Sequence, residues 1–196
     1  MRIRWLRPQR DGGVVDGLYG GTAKVHHFWL ATDDQAFPAV DRTASKYDYD
    51  VRRAATLLQE AGWTRGADGS LRDASGELLT MPLAAQFTDI EQKQAAVVVD
   101  NWKVLGVSPE MKVMALAQQR DREFRSKIPA VGFQNRTMRY DNMVWTSDQV
   151  TIADNRWRGS NYTGYVNPVL DELWPKVLGT PDAKERETIW LKRFAR

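Results

Sequence analysis

The sequence contains no cysteine among its 196 residues, which excludes disulfides and cysteine-ligated metal sites. It also lacks any apolar run long enough to cross a bilayer, so membrane insertion is not predicted. The first ten residues are basic, but no apolar stretch follows them. We therefore expect neither a signal peptide nor a membrane anchor in this chain.

Histidine is nearly absent as well. His26 and His27 are the two histidines of the sequence, and adjacent side chains on a strand point to opposite faces, which disfavours a shared metal ion. The sequence has no nucleophile elbow, no phosphate-binding P-loop and no dinucleotide-binding glycine pattern. We therefore predict no catalytic residues, no metal site and no cofactor. A hydrolase that uses carboxylates alone stays open as an alternative.

Charge is present but dispersed. The net charge is +3, and arginines cluster only in the first ten residues. Because a nucleic-acid-binding surface needs a sustained basic stripe, nucleic acid is not an expected partner. A hydrophobic content of 42% and a charged content of 27% are typical of a globular domain with a sizeable core.

The clearest local pattern that is present predicts a helix from Asp50 to Gly62. Asp50 can cap its first turn, and Gly62 can adopt the left-handed conformation that ends a helix. Trp63 would then fold back onto Leu58. One apolar face has the spacing of a packed amphipathic helix, with the residues Ala54, Leu57, Leu58 and Ala61.

Strand and helix patterns alternate after this helix. Residues 65–79 predict a hairpin with its turn at Asp68-Gly69. A capping box formed by Thr88 and Glu91 predicts a long helix that ends at Gly106. Its core face is expected to contain Ala95, Val98, Val99, Trp102 and Leu105. Further elements are predicted as strands over 79–86, 107–114 and 130–134 and a helix over 117–127. This order indicates an α/β fold, a mixed sheet flanked by helices.

Residues 135–164 are polar and aromatic and have no clear periodicity. A helix is predicted to begin at Asn167-Pro168, since Asn167 can cap it and proline suits its first position. Pro175 should kink or shorten that helix. Another helix is expected to begin at Thr180.

Four segments of the sequence resemble, in the same order, the family 5 extracytoplasmic solute-binding proteins. Residues 47–63 are similar to the family element Y-x-Y-D-x-x-x-A-x-x-L-L-x-x-A-G-W. Residues 81–107 resemble the strand, helix and L-G-V turn that follow it. Residues 140–145 and 155–173 resemble a strand with an early aspartate and the G-Y-x-N-P-x-x-D-x-L element.

This resemblance implies one lobe of a periplasmic-binding-protein-like type II architecture. Residues 1–13 would be a basic, poorly ordered segment, and residues 14–196 would form a single α/β lobe that corresponds to most of the second lobe of a receptor. The first lobe would be missing, so the chain is expected to be a fragment.

The implied function is that of the substrate-binding component of an ABC importer. Such receptors capture peptides or similar small solutes by closing two lobes, without catalysis, and deliver them to a membrane permease. The implied location is periplasmic or extracytoplasmic. The alternative is a free-standing small α/β domain with a hydrolase or interaction role.

By the same resemblance, the solute should meet loops at the sheet edge. The candidate ligand-binding residues are aromatic or polar side chains of these loops: Gln134, Asn135, Arg136, Tyr140, Trp145, Asp148, Trp157, Asn161 and Tyr162. Peptide-binding relatives often place W-x-x-D before Tyr-Pro, and this aspartate receives a ligand amine. Trp145-Thr-Ser-Asp148 matches the first part, whereas Gln149-Val150 replaces the second, so Asp148 is a hypothesis for an amine anchor.

Overall fold

The computed structural model describes residues 16–23, 27–28, 32–46, 49–133 and 145–194. The predicted basic segment 1–13 lies outside these residues. Residues 16–19 are helical. Seven further α-helices lie in the described part of the chain: α1 (Phe37–Thr43), α2 (Val51–Glu60), α3 (Asp89–Leu105), α4 (Leu116–Arg120), α5 (Arg122–Ser126), α6 (Pro168–Gly179) and α7 (Ala183–Phe194). Its five strands are β1 (Thr64–Arg65), β2 (Leu71–Arg72), β3 (Thr80–Ala85), β4 (Ser108–Val113) and β5 (Val131–Gly132).

The described residues fall into two compact units. The first contains 16–23, 49–120 and 128–133, and the second contains 27–28, 32–46, 121–127 and 145–194. The expectation that residues 14–196 form a single lobe stays a prediction.

Helix α2 begins and ends as the sequence predicts. The side chain of Asp50 accepts a hydrogen bond from the Arg53 backbone N–H at 2.8 Å. Gly62 has a φ of +93°, and the Trp63 backbone N–H donates to the Leu58 carbonyl at 3.0 Å. The apolar face is buried at Ala54 but exposed at Ala61, because Ala61 already lies beyond the last helical turn as the C-cap.

The sheet of the first unit is built around β3. Strand β3 pairs in parallel with β4 on one side and with β5 on the other. Helix α3 connects β3 to β4, as parallel pairing requires. The predicted core face of α3 is confirmed, since all five of its residues are buried. Antiparallel pairing joins β1 to β2 in a separate hairpin, and an isolated antiparallel bridge joins Arg72 to Leu78.

The hairpin turn forms at Asp68-Gly69, where Gly69 has a φ of +80°. The Asp68 carboxylate accepts hydrogen bonds from the Ser70 hydroxyl at 2.6 Å and the Ser70 backbone N–H at 3.1 Å. The predicted α/β class is thus confirmed, with parallel and antiparallel pairing in two different sheets.

Two local expectations were wrong, and one was wrong in part. Thr88 caps α3 without a side-chain hydrogen bond, so the capping box with Glu91 does not form. The helix predicted over 117–127 is divided into α4 and α5, because the Asp121 side chain accepts from the Phe124 backbone N–H and starts a new helix. Pro175 does not shorten α6, which continues to Gly179, and a kink at Pro175 stays a prediction.

The second unit has its own core of helices. Val40 of α1 packs with Leu170, Trp174 and Val177 of α6, and all four side chains are buried. Asn167 caps α6 by accepting from the Val169 backbone N–H at 3.0 Å, as predicted. This core carries the loop that holds the described candidate residues.

Candidate functional site

The candidate site lies on the loop of residues 145–165 in the second unit. The loop contains two short 3-10 helices, Ser147–Gln149 and Ala153–Asn155. An isolated bridge joins Val150 to Asn161, so the ends of the segment between them are held together. The site is therefore a loop folded on itself.

Asn161 holds this loop together from inside. It is 0% exposed, and its side-chain amide nitrogen donates to the Tyr165 carbonyl at 2.8 Å and to the carbonyls of Trp145 and Thr146 at 3.3 Å each. Its side-chain oxygen accepts from the Thr163 hydroxyl at 2.9 Å. The structure thus places this predicted ligand residue in a supporting position, and direct contact with a solute stays a prediction.

Two further features fix the loop. The Ser147 backbone N–H and hydroxyl both donate to the carboxylate of Asp171 in α6, at 2.7 Å each. A Cβ atom at Gly159 would overlap the Gln149 carbonyl oxygen, so the two sides of the loop touch where only glycine fits. The loop is consequently tied to the helical core at one end and closed at the other.

Asp148 presents an exposed carboxylate on the first 3-10 helix. Hydrogen bonds from the Thr146 hydroxyl and then from the Gln149 side chain, the latter at 3.0 Å, lower the pKa of Asp148 below its ordinary value. The group is therefore ionised at neutral pH, and it is able to accept hydrogen bonds from a cation.

Trp145 belongs largely to the core. It is half-buried and packs against the helical cluster of the second unit, with its ring centroid 6.4 Å from that of Trp174 and an interplanar angle of 58°. Such a tilted aromatic pair is a normal packing contact. Only the part of Trp145 that is left exposed could meet a ligand.

Trp157 and Tyr162 each carry a cation on one ring face. The Nζ atom of Lys127 lies 5.0 Å from the Trp157 ring centroid, and the guanidinium carbon of Arg125 lies 5.7 Å from the Tyr162 ring centroid. Both distances fit a cation–π contact. Helix α5 and the residue after it thus contact the two predicted aromatic residues.

The backbone at Trp157 is also unusual. Arg156 and Trp157 have φ angles of +55° and +57°, in the left-handed region that bulky residues rarely adopt. The Trp157 backbone N–H donates to the Ile152 carbonyl at 2.9 Å. This tight turn sets the direction in which the half-buried Trp157 ring leaves the loop.

Sequence reasoning missed Arg125, Lys127 and Thr146. The cations lie at least 30 positions before their aromatic partners, and no local pattern reports such a contact. The predicted residues Gln134, Asn135, Arg136 and Tyr140 lie outside the described residues. Within the described ranges, no group of three or more histidine, aspartate or glutamate side chains could hold a metal ion. No helix in those ranges has the length and apolar character needed to span a membrane.

Solved structures share this fold. NikZ from Campylobacter jejuni, in complex with Ni(L-His), aligns with a TM-score of 0.75 and 20% identity over 96% of this chain and 37% of NikZ. An oligopeptide-binding protein from Thermus thermophilus, complexed with a pentapeptide, aligns with a TM-score of 0.73 and 19% identity over 96% of this chain and 34% of that protein. The fold is that of type II periplasmic-binding-protein lobes.

Sequence comparison then defines the family. The family of bacterial extracellular solute-binding proteins, family 5 Middle, matches residues 12–155, and this chain belongs to it. The oligopeptide-binding protein AppA of Bacillus subtilis (strain 168) is 23% identical over 190 residues, covering 91% of this chain and 33% of AppA. The chain therefore spans about a third of the length of that curated relative.

Proposed function

We propose that this chain is part of the substrate-binding component of an ABC-type importer that captures peptides or similar small solutes without catalysis. Membership of the solute-binding family supports this proposal, as do the names of the relatives. AppA is named as an oligopeptide-binding protein, and the Thermus thermophilus relative was crystallised with a pentapeptide. The partner would be a membrane permease, and the location would be extracytoplasmic.

The observation that carries the proposal is the ionised, exposed carboxylate of Asp148. The loop around it is held by a hydrogen bond that Asn161 donates to the Thr146 carbonyl and by one that the Asp171 carboxylate accepts from the Ser147 backbone N–H, so the carboxylate of Asp148 has a fixed support. A fixed carboxylate that needs no proton rearrangement is suited to receive the ammonium group of a solute. We assign Asp148 as the amine anchor of this site.

Capture would depend on closure of two lobes around the solute. A solute that contacts both lobes stabilises the closed state, because it binds that state more tightly than the open one. No bond is made or broken in this step. Ring surface left exposed by Trp145, Trp157 and Tyr162 would supply apolar contact beside the anchor.

The test compares Asp148→Asn with Asp154→Asn, a matched change at another exposed aspartate of the same loop. The probes are pentaalanine and its N-acetylated form, which lacks the ammonium group. Chemical-shift titration of the 15N-labelled chain measures affinities down to the millimolar range. We expect Asp148→Asn to weaken pentaalanine binding about five-fold, the effect of losing roughly 1 kcal/mol of charge pairing.

The N-acetylated peptide should bind the parent chain and Asp148→Asn equally, and Asp154→Asn should behave as the parent chain does. If Asp148→Asn leaves the affinity for pentaalanine unchanged, the amine-anchor assignment is wrong. If neither peptide shifts any signal of the loop at millimolar concentration, the proposed function is wrong as well.

A further inference from the structure

Strand β4 forms an open edge of the sheet in the first unit. It pairs with β3 on one side, and no strand of the described residues pairs with its other side. The residues at positions 110–113 are all exposed. Such an edge carries a row of backbone N–H and C=O groups that can pair with another strand. The edge of β4 is therefore a surface onto which a further strand can be added.

The backbone groups of β4 that point outward belong to alternate residues. The N–H groups of Ser108 and Met114 donate to carbonyls on the β3 side, at 2.8 and 2.9 Å. Because successive N–H groups of a strand alternate in direction, those of Met111 and Val113 point away from β3. The outward position before them is Pro109, which has a carbonyl but no N–H. The open edge thus offers donors at two residues and carbonyl acceptors at three.

The side chains of this edge divide between the two faces of the sheet. Met111 and Val113 lie on the face that α3 covers, since they are paired with buried residues of β3, yet they are 37% and 42% exposed. Glu110 and Lys112 point to the opposite face. In the described part of the chain, neither of these two charges has an ion-pair partner. The edge therefore presents one unpaired charge of each sign, two positions apart.

We propose that this edge pairs with β4 of a second copy of the chain, antiparallel and about a two-fold axis. The pair would join two three-stranded sheets into one continuous sheet. The proposal is independent of the proposed function, because β4 belongs to the first unit and the candidate loop to the second. The argument for a second copy is that the edge is complementary to itself in charge and in hydrogen bonding.

Charge selects one of the symmetric registers. Hydrogen bonds form only where outward-pointing groups meet, so the two-fold axis must pass beside a residue rather than between two residues. An axis at Glu110 would bring two glutamates together, and an axis at Lys112 would bring two lysines together. An axis at Met111 places Glu110 of each copy directly opposite Lys112 of the other, where opposite charges stabilise paired strands. The edge therefore favours the register centred on Met111.

The backbone of this register also pairs well. The two copies of Met111 exchange both of their hydrogen bonds, and each Val113 N–H reaches the Pro109 carbonyl of the other copy. Proline and lysine normally protect an edge strand from pairing. Here Lys112 faces a glutamate, and Pro109 removes only the bond that the Val113 carbonyl would accept. Because a two-fold pair uses both β4 edges, association stops at a dimer.

The experiment measures the molar mass of the 15N-labelled chain by sedimentation equilibrium from about 10 μM to about 1 mM. We expect a monomer–dimer equilibrium with a dissociation constant of about 0.1 mM, because one pair of short strands is smaller than a stable interface. Amide hydrogen exchange gives the local readout. Exchange at Met111 and Val113 should slow as the concentration rises, whereas the Glu110 N–H, which points to β3, should keep its rate.

Charge reversal tests the register. Glu110→Lys and Lys112→Glu each place like charges opposite one another, and each should weaken dimerisation about ten-fold. An equimolar mixture of the two variants should restore it, because every lysine of one chain then faces a glutamate of the other. The double variant that exchanges both charges should dimerise as the parent chain does. Lys93→Glu, a matched reversal at an exposed position of α3, should leave dimerisation unchanged.

A chain that stays monomeric at about 1 mM, with exchange at Met111 independent of concentration, overturns the proposal. A dimer that neither reversal weakens, or that the mixture does not restore, forms through another surface and overturns it as well. So does growth beyond a dimer. If a variant does not fold, the mass and the exchange rates of the parent chain still decide.

Discussion

Asn161 shows how a single buried amide can define a loop. Its side-chain nitrogen faces three backbone carbonyls, and its side-chain oxygen takes a hydroxyl donor. The geometry requires a donor on one side and an acceptor on the other, which only an amide supplies. Asn161 was predicted to bind a solute because it is polar. Its side chain is buried, and its polar atoms form hydrogen bonds within the loop instead.

We predict that Asn161→Asp destabilises the second unit by about 3 kcal/mol, because it removes the donors and turns a carboxylate toward carbonyl oxygens. The matched control is Asn167→Asp at the N-cap of α6, where aspartate is as good a cap as asparagine. Urea unfolding followed by tryptophan fluorescence measures the free energy of unfolding of both variants.

The control should change the free energy of unfolding by less than about 1 kcal/mol. Equal stability of the two variants would show that the bonds from Asn161 contribute little to the loop.

At the scale of elements, the sequence predicts a helix or a turn correctly where the contacts that fix it join residues close together in the chain. Helix α2 and the hairpin turn are fixed by residues at most five positions apart, such as Asp50 with Arg53, and both were predicted. The bounds of helix α3 were predicted from Gly106 and from a capping box that does not form, and its buried face was predicted from periodicity. The candidate loop was not predicted in any detail, because Asp171 fixes it across 24 positions and Asn161 across 15 and 16.

The cations on Tyr162 and Trp157 escaped prediction for the same reason. The division of α4 from α5 was missed for a local reason, namely that Asp121 was read as a residue inside a helix rather than as a cap. The sequence thus predicted which residues belong to the candidate site. It did not predict their contacts, and these determine which residues support the loop and which are exposed to a solute.

The hairpin gives a prediction about pH. Hydrogen bonds from the Ser70 hydroxyl and backbone N–H, and then from Arg72, hold the pKa of Asp68 far below its usual range. A hydrogen bond from the Ser75 hydroxyl and then one from the Glu77 backbone N–H lower the pKa of Asp73. Because the unfolded chain binds protons at a higher pH than the folded chain does, this stabilisation is complete above about pH 5 and is lost as the pH falls toward the folded-state pKa values.

We therefore expect the urea midpoint of the chain to fall between pH 5 and pH 2, and to fall less steeply in Asp68→Asn. Asp154→Asn serves as the control at an aspartate outside the hairpin, and its pH dependence should follow that of the parent chain. A slope in Asp68→Asn identical to that of the parent would contradict the link between these bonds and stability.

At the scale of the whole molecule, the proposed function predicts how tightly this chain by itself binds a peptide. Binding by closure divides the solute contacts between two lobes, and this chain spans only about a third of the length of AppA. Without contacts from a second lobe, much of the favourable free energy is missing while the cost of immobilising the peptide stays.

We predict that the chain by itself binds peptides with dissociation constants weaker than about 1 μM. Intrinsic fluorescence from its eight tryptophans provides the measurement. A saturable response at submicromolar peptide would show that the chain needs no second lobe, and would contradict capture by closure.

Because the ends of the segment between Val150 and Asn161 are held together, the sequence and length of that segment can change without disturbing the rest of the fold. The backbone bonds between Gln149 or Thr151 and Asn161 close it, and Gly159 admits no side chain at the crossing. Once its ends are closed, lengthening a loop is cheap, about 0.6 kcal/mol for each doubling. Insertions and substitutions between Ile152 and Arg158 could therefore redirect Trp157 and alter solute preference, while the helices that support the loop stay unchanged.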